Sequence, residues 1–395
     1  MTYAGQLGCV RIALVSDTYT PQVNGVTTVL ERMAKTLQRE GHDCAVVAPA
    51  YPGGVGGGSG GDRELRVPSL PFPPYPAIRL SIPRVRLIRR FLQQFGPEVV
   101  HVATEGPLGV IGRRYALDRS VPLVTSSHTD FPQYCRHYGA SSLEPLAWRF
   151  LTWFHRPAAL THTPGRAMRT SLLERGVSHT VIWGGAVDAS HFNPGRRTPW
   201  FRRIHGLRDE AVLVLHVGRL APEKDVPVLL EAWALVHEAV GAAVQFVIAG
   251  NGPLAPQVDA FGPWIRRLGF LDRHELANLY ANADLCVLPS RTETCGLVAL
   301  EAMASGLPVI AADQGGFRDS IASGVNGLLI RPGDARAFAA AILSLVVAAE
   351  PRRRYGEAAR GVALGRDVER ENAELLAQYA SLINQATRGD LWRAA

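Results

Sequence analysis

The strongest constraint on this chain is an alternation present in both of its halves. Short runs rich in Val, Ile and Leu alternate with longer segments of helical character. In the first half the runs lie at Val10–Ser16, Cys44–Ala48, Val99–Val102 and Pro122–Ser126, with helical segments at 26–40 and 84–95. In the second half the runs are Val212–Val217, Val244–Ala249, Leu285–Pro289 and Val309–Ala312, with helical segments at 226–238, 275–281 and 296–304. The runs show little apolar–polar alternation, as expected of strands covered on both faces. Strands separated by helices imply βαβ units and parallel sheets, hence an α/β fold class.

A chain of 395 residues exceeds one ordinary core and fits two domains. The turn-forming segment Phe192–Arg203, with Asn193-Pro194-Gly195 and Thr198-Pro199, places the boundary there. The expected parts are a first domain over 1–195, a second over 196–368, and a C-terminal helix and tail over 369–395 that packs back on the first domain. The glycine-dense stretch Pro52–Gly61 lacks phosphate-loop spacing and reads as a surface loop. No apolar run approaches the roughly 20 residues of a membrane span. The first apolar stretch holds Arg11 and ends at Asp17, so it reads as a strand and not a leader, and the expected location is the cytoplasm. The five cysteines, Cys9, Cys44, Cys135, Cys286 and Cys295, are odd in number and contain no Cys-x-x-Cys pair. That argues against a disulfide framework or a zinc site and suggests that most are buried.

The net charge of +7 sits entirely in the first half: residues 1–195 hold 20 Lys and Arg against 13 Asp and Glu, leaving 22 against 22 in the remainder. Either a solvated basic surface or an anionic partner would explain it. Basic charge without interleaved aromatics is a poor signature of nucleic-acid binding, so none is expected. The segment 84–95 puts Val85, Ile88, Phe91, Leu92 and Phe95 on one stripe with Arg86, Arg89 and Arg90 largely opposite. Such a helix can lie against anionic lipid headgroups, or its stripe can pack on the sheet and leave the arginines in solvent.

Three loops carry candidate chemistry. Ser16–Val26 joins the first strand to the first helix, and Gly25 would let a ligand approach the amides of the helix start. Gly218-Arg219-Leu220-Ala221-Pro222-Glu223-Lys224 follows a strand at the end where open α/β sheets bind ligands. Its two cations suit a diphosphate, the alternative being surface salt bridges. Ser290–Glu301 places Glu293 in a loop after a strand and Glu301 in the second turn of the helix beginning near Gly296. Carboxylates so placed can accept hydrogen bonds from sugar and ribose hydroxyls while phosphates sit on the helix start.

Over nearly its whole length the chain resembles family 4 of the retaining glycosyltransferases. That resemblance implies the GT-B fold: two Rossmann-like domains facing a cleft, with the C-terminal helix crossing back to the first. It implies that Glu293 and Glu301 are the family's paired glutamates, on the transferred sugar and the ribose, with Gly296 and Leu297 offering backbone N–H groups. It implies further that Gly218, Arg219 and Lys224 bind the diphosphate, that Gly25 belongs to the first-domain glycine loop, and that His128 lies near the donor sugar. Ala186, where the family has glycine, and Cys295, where it often has Phe, depart from the pattern.

The catalytic set implied by the resemblance is thus His128, Arg219, Lys224 and Glu293. The remaining donor contacts are Gly25, Gly218, Gly296, Leu297 and Glu301, with no metal and no cofactor. Ser16–Thr28, His101–Gly109 and His128–Tyr138 look most like bacterial mannosyltransferases and diacylglycerol glycosyltransferases. The implied partners are a nucleoside-diphosphate sugar, with GDP-mannose favoured, and a lipid or glycolipid acceptor at an anionic membrane surface, the enzyme being peripheral there. The alternatives are UDP-glucose or another UDP-sugar with a soluble or polysaccharide acceptor, and a nucleotide-sugar epimerase.

Overall fold

A computed structural model describes residues 9–22, 24–52, 63–72, 75–137 and 139–389. Most of the glycine-dense stretch therefore lies outside the described residues, as do Tyr138 and the last residues of the tail. The chain divides into two compact units, Met1–Gly184 with Glu369–Ala395, and Gly185–Val368.

The first unit is built on the strands Arg11–Val15 (β1), Asp43–Pro49 (β2), Glu64–Val67 (β3), Val99–Val102 (β6), Leu123–Ser126 (β7), Leu160–Thr163 (β8) and Thr180–Ile182 (β9). They form one parallel sheet in the order β3-β2-β1-β6-β7-β8-β9. Ser69–Phe72 (β4) and Tyr75–Ser81 (β5) make a separate antiparallel pair in the connection that the sequence leaves unassigned. One sheet face, including Ala13, Val15, Val100 and Val102, packs against Ile88 and Leu92 of helix Val85–Phe95. The same cluster takes in Leu108 and Tyr115 of helix Pro107–Asp118 and Phe154 of helix Glu144–His155. The apolar stripe of Val85–Phe95 thus faces the sheet, while Val85 and Leu87 stay exposed and Arg89 pairs with Asp118 at 3.0 Å.

The C-terminal helix Val368–Thr387 belongs to this first unit from Glu369 onward. Tyr379 Oη lies 2.6 Å from His101 Nδ1, Gln378 2.8 Å from His162, and Glu371 pairs with Arg32 at 2.5 Å. The Tyr379 ring is fully buried, so this docking combines polar contacts with apolar burial.

The second unit holds Val212–Val217 (β10), Val244–Ala249 (β11), Ile265–Gly269 (β12), Leu285–Leu288 (β13), Val309–Ala312 (β14) and Gly327–Ile330 (β15). Their order, β12-β11-β10-β13-β14-β15, is that of a doubly wound sheet, with its topological switch between β10 and β13. The division of the chain falls at Gly184/Gly185, ahead of the boundary expected after Gly195. The reason is apolar: Val187, Phe192 and Phe201 are buried in the second unit's core with Leu213, Tyr280 and Met303.

Two other expectations need correction. The segment Val226–Ala243 is apolar and long enough to pass for a membrane span, 18 residues at a mean hydropathy of 1.3. Its helix, Val226–Val240, packs one face into the second unit's core: Leu229, Leu230, Trp233 and Val236 are buried, and the Trp233 ring lies 4.7 Å from that of Phe246. Of the five cysteines only Cys44 and Cys286 are buried; all five are free thiols and Cys9 is exposed.

Candidate functional site in the second unit

Adjacent parallel strands on either side of a switch point send their following loops in opposite directions and leave a crevice at the strand ends. In the second unit those strands are β10 and β13, paired at Val214↔Leu285 and Leu215↔Cys286. The loop after β10 carries Gly218, Arg219 and Lys224, and the loop after β13 carries Glu293. The topology brings two distant sequence motifs together, and the side chains meet: Lys224 Nζ donates to Glu293 Oε2 at 2.8 Å. Both side chains are largely sheltered, 23% and 16% exposed. Lys224 is also one of only two lysines in a chain with 42 basic residues, the other being Lys35. A compact ammonium at this position is therefore a departure from the chain's habit of using arginine.

Arg219 points its guanidinium at Glu223, one turn on, and the Glu223 carboxylate is fully buried. Glu223 thereby fixes the direction of Arg219, a role that the sequence alone does not assign. Its signal is an acid four residues after Arg219 and next to Lys224. Asp225 adds a second brace: in the left-handed conformation (φ 54°) it accepts from Arg291 Nε at 2.6 Å, tying the β10 loop to the β13 loop. Ser290 Oγ lies within 3.4 Å of the Glu223 carbonyl.

His216 of β10 donates from Nδ1 to the Val287 carbonyl at 2.9 Å. Burial, reinforced by the nearby Lys224 charge, pushes its pKa down to about 4, so the ring is neutral. Its Nε2 is buried without a hydrogen-bond partner beneath Gly218.

The helix Leu297–Ala304 starts from Gly296, which is left-handed at φ 73°, and no side chain caps it. The amides of its first turn are therefore available at the positive end of the helix dipole. By contrast the start of Gly25–Arg39 is capped by Asn24, whose side chain takes the Thr27 N–H at 2.9 Å. The loop before Gly296 is held by Gly315 and Gly316. A Cβ on Gly315 would stand 2.0 Å from the Glu293 carbonyl oxygen, and Gly316 N–H donates to that oxygen at 2.9 Å. Only glycine allows the two backbones to approach so closely.

Glu301 lies on the helix as the spacing requires. Its Oε2 is 3.2 Å from the Tyr280 hydroxyl, and burial raises its pKa to about 7, against the opposing effects of Tyr280 and Arg273. Of the two departures from the family pattern, Cys295 has its Sγ 3.6 Å from where a Cβ on Gly185 would stand, and Ala186, the next residue in the chain, is buried.

Two predicted residues belong to the first unit. Gly25 opens its helix at the end of the β1 loop. His128 follows β7, where burial and the neighbouring His155 lower its pKa to about 4 and its Nε2 has no hydrogen-bond partner. A neutral imidazole of this kind suits hydrogen bonding better than proton transfer near neutral pH.

Both units are parallel-sheet α/β folds, and in the second the carboxylates, cations and bare helix start gather at the switch point, where such sheets bind nucleotides. Residues 23–191 match the family model described as Glycosyltransferase Family 4, and residues 198–362 the one described as Glycosyl transferases group 1. The chain is 36% identical over 382 residues to a GDP-mannose-dependent alpha-mannosyltransferase of Mycobacterium tuberculosis, covering 96% of this chain and 98% of that one. It is 32% identical over 360 residues to a sulfoquinovosyl transferase of Arabidopsis thaliana, covering 89% and 69%. Among solved structures it resembles sucrose-phosphate synthase from Thermosynechococcus elongatus, with a TM-score of 0.76 at 20% identity over 95% and 99% of the two chains. The Anabaena protein HepE in complex with UDP gives 0.74 at 20% identity over 94% and 100%. The chain belongs to glycosyltransferase family 4 and is a hexosyltransferase.

Proposed function

We propose that the enzyme transfers mannose from GDP-mannose, with retention of configuration, to a lipid or glycolipid acceptor at the inner face of a membrane. The observation that carries the donor half is the Lys224–Glu293 contact at the β10/β13 switch point. In this reading Arg219, Lys224 and the amides of Gly296 and Leu297 hold the diphosphate, with Gly218 and Gly25 allowing close approach. Charge that develops on the departing phosphate is stabilised by these preorganised groups, and stabilisation of that kind usually contributes more to rate than any other single effect. Glu293 accepts from the sugar hydroxyls, His128 orients the sugar, and Glu301 holds the ribose. The diphosphate is neutralised by protein cations, and no metal or cofactor takes part.

Mannose is favoured because relatives named as GDP-mannose-dependent span nearly the whole chain. A lipid acceptor is favoured because other relatives are named for glycolipids, phosphatidylinositol dimannoside and monoglucosyldiacylglycerol. The second reading is another hexose, glucose above all, from a UDP-sugar, since one relative is named an alpha-monoglucosyldiacylglycerol synthase. Donor screening by thermal shift separates them, since a ligand at a hundred times its Kd adds about 2.7 kcal/mol of stability. GDP-mannose and GDP are expected to raise Tm while UDP-glucose and UDP leave it unchanged; the reverse pattern transfers the case to the second reading.

A further inference from the structure

Away from the donor site, the first unit has an open surface pocket of about 700 Å³ beside helix Glu144–His155. Arg113, Arg149, Arg156 and Arg175 line it together with Trp148 and Trp153, and among the described residues no Asp or Glu does. The Arg113 guanidinium lies 4.1 Å from the Trp153 ring centre, and Arg175 lies 4.0 Å from that of Trp148. Arg113 is 8% exposed, with Nε and Nη2 donating to the carbonyls of Phe154 and Trp153. It has no carboxylate partner among the described residues, and burial together with Arg114 lowers its pKa. Carbonyls and a ring meet this cation's hydrogen bonds but not its charge, and a buried charge is costly unless an anion accompanies it. The Arg175 charge is only loosely met by Glu174 at 3.8 Å.

The rim is apolar as well as basic. Leu146, Arg149, Trp153 and Arg156 recur at helical spacing on one face, and Leu146 and Trp153 are 62% and 48% exposed. Leu143, one turn earlier, is also exposed. Helices Val85–Phe95, Pro107–Asp118 and Glu144–His155 cover the same sheet face and carry Arg86, Arg89, Arg90, Arg113, Arg114 and Arg149. Their only acids, Asp118 and Glu144, already pair with Arg89, Arg114 and Arg136. Exposed Trp and Leu beside arginines left without acids match the interface of an anionic bilayer: rings at headgroup depth, guanidinium groups on phosphate.

We propose that this pocket seats the phosphate headgroup of an anionic phospholipid, with Leu143, Leu146 and Trp153 entering the interface around it. The proposal rests on the first unit alone and needs neither donor nor acceptor. It is tested by cosedimentation of the full chain with phosphatidylcholine vesicles, with and without phosphatidylglycerol. Each basic residue at such a surface contributes about 1 kcal/mol, so Arg149→Gln with Arg156→Gln should weaken binding to the anionic vesicles about 25- to 30-fold. Circular dichroism confirms that the variant is folded. Brominated lipid should quench wild-type tryptophan emission, and Trp153→Phe should remove the largest share of that quenching. Unchanged vesicle binding by the arginine pair, or equal binding to phosphatidylcholine alone, overturns the proposal. So does calorimetric binding of inorganic phosphate or glycerol phosphate without vesicle binding, which makes this a soluble-anion site. Mannosyl transfer to a lipid acceptor in detergent micelles tests the functional reading separately, because it needs no bilayer.

Discussion

Replacing Lys224 with Met removes the ammonium but keeps the length of the side chain, and the structure sets two separable consequences. The first concerns stability. The Lys224–Glu293 pair is neither fully buried nor open, at 23% and 16% exposure, and its loss leaves the Glu293 carboxylate unpaired beside the β10 loop. Exposed pairs contribute about 0–1 kcal/mol and broken buried ones cost about 3–5, so about 1–3 kcal/mol is expected here. For a unit of this size that lowers Tm by about 2–10 °C. The second concerns rate. A preorganised charge aimed at a developing oxyanion contributes about a hundred- to a thousandfold, and kcat should fall by that much. The double variant Lys224→Met/Glu293→Gln distinguishes the two, since removing the orphaned charge restores Tm without restoring turnover. Scanning calorimetry and nucleotide-release kinetics on the three proteins make the comparison. A single variant within about tenfold of wild-type kcat, or a double variant that regains activity along with Tm, would refute the reasoning.

Lys224→Arg keeps the charge but replaces a compact ammonium with a planar fork, so turnover should stay at least about tenfold down; wild-type kinetics would make the scarcity of lysine here incidental. Glu301 predicts a pH dependence. Its folded pKa, about 7, stands above the ordinary 4.5, so it contributes stability at low pH that is lost as pH rises through 7. Ribose hydroxyls favour the ionised form, so GDP binding should release a proton and tighten from pH 6 to pH 8, read by calorimetry in buffers of different ionisation enthalpy; an affinity flat with pH, or no change in Glu301→Gln, counts against it. His128, neutral with a pKa of about 4, should leave activity free of any histidine titration between pH 6 and 8, and His128→Asn should lower kcat without reshaping that profile. Gly315→Ala should yield little folded protein, because its Cβ would stand 2.0 Å from the Glu293 carbonyl oxygen.

The strand cores are legible because a strand buried on both faces is written as an unbroken apolar run; Val99–Val102 and Val212–Val217 coincide with the structure to the residue. Among the strands that escape such a pattern, Leu160–Thr163 is broken by Thr161 and His162 and Ile265–Gly269 by two arginines, whereas the short edge strand Gly327–Ile330 is only half-buried. The domain boundary is misplaced by turn chemistry at Asn193–Gly195 because that signal is local, whereas the division is decided by where Val187 and Phe192 are buried. The donor-site motifs are visible as spacing, but their convergence requires the strand order, which no local pattern contains. Glu223, Asp225 and His216 act through other side chains, and residues of that kind carry little signal until the loops are placed side by side. The arginine–tryptophan pocket escapes for the same reason: Arg113, Arg149 and Arg175 are far apart along the chain, while the helix whose pattern suggests membrane contact, Val85–Phe95, turns its apolar stripe to the sheet.

In the proposed reaction the groups gathered at the β10/β13 switch point hold the donor while mannose passes to a lipid. The most direct measurement incubates the enzyme with GDP-mannose radiolabelled in the sugar, with and without a bacterial lipid extract, in the presence of EDTA, and follows GDP release and label partitioning. Acceptor-dependent GDP release, label in the organic phase, no effect of EDTA, and loss of all transfer in Glu293→Gln are expected. Conversion of GDP-mannose to another nucleotide-sugar without acceptor, or label that stays in the aqueous phase as a new soluble glycoside, would contradict it.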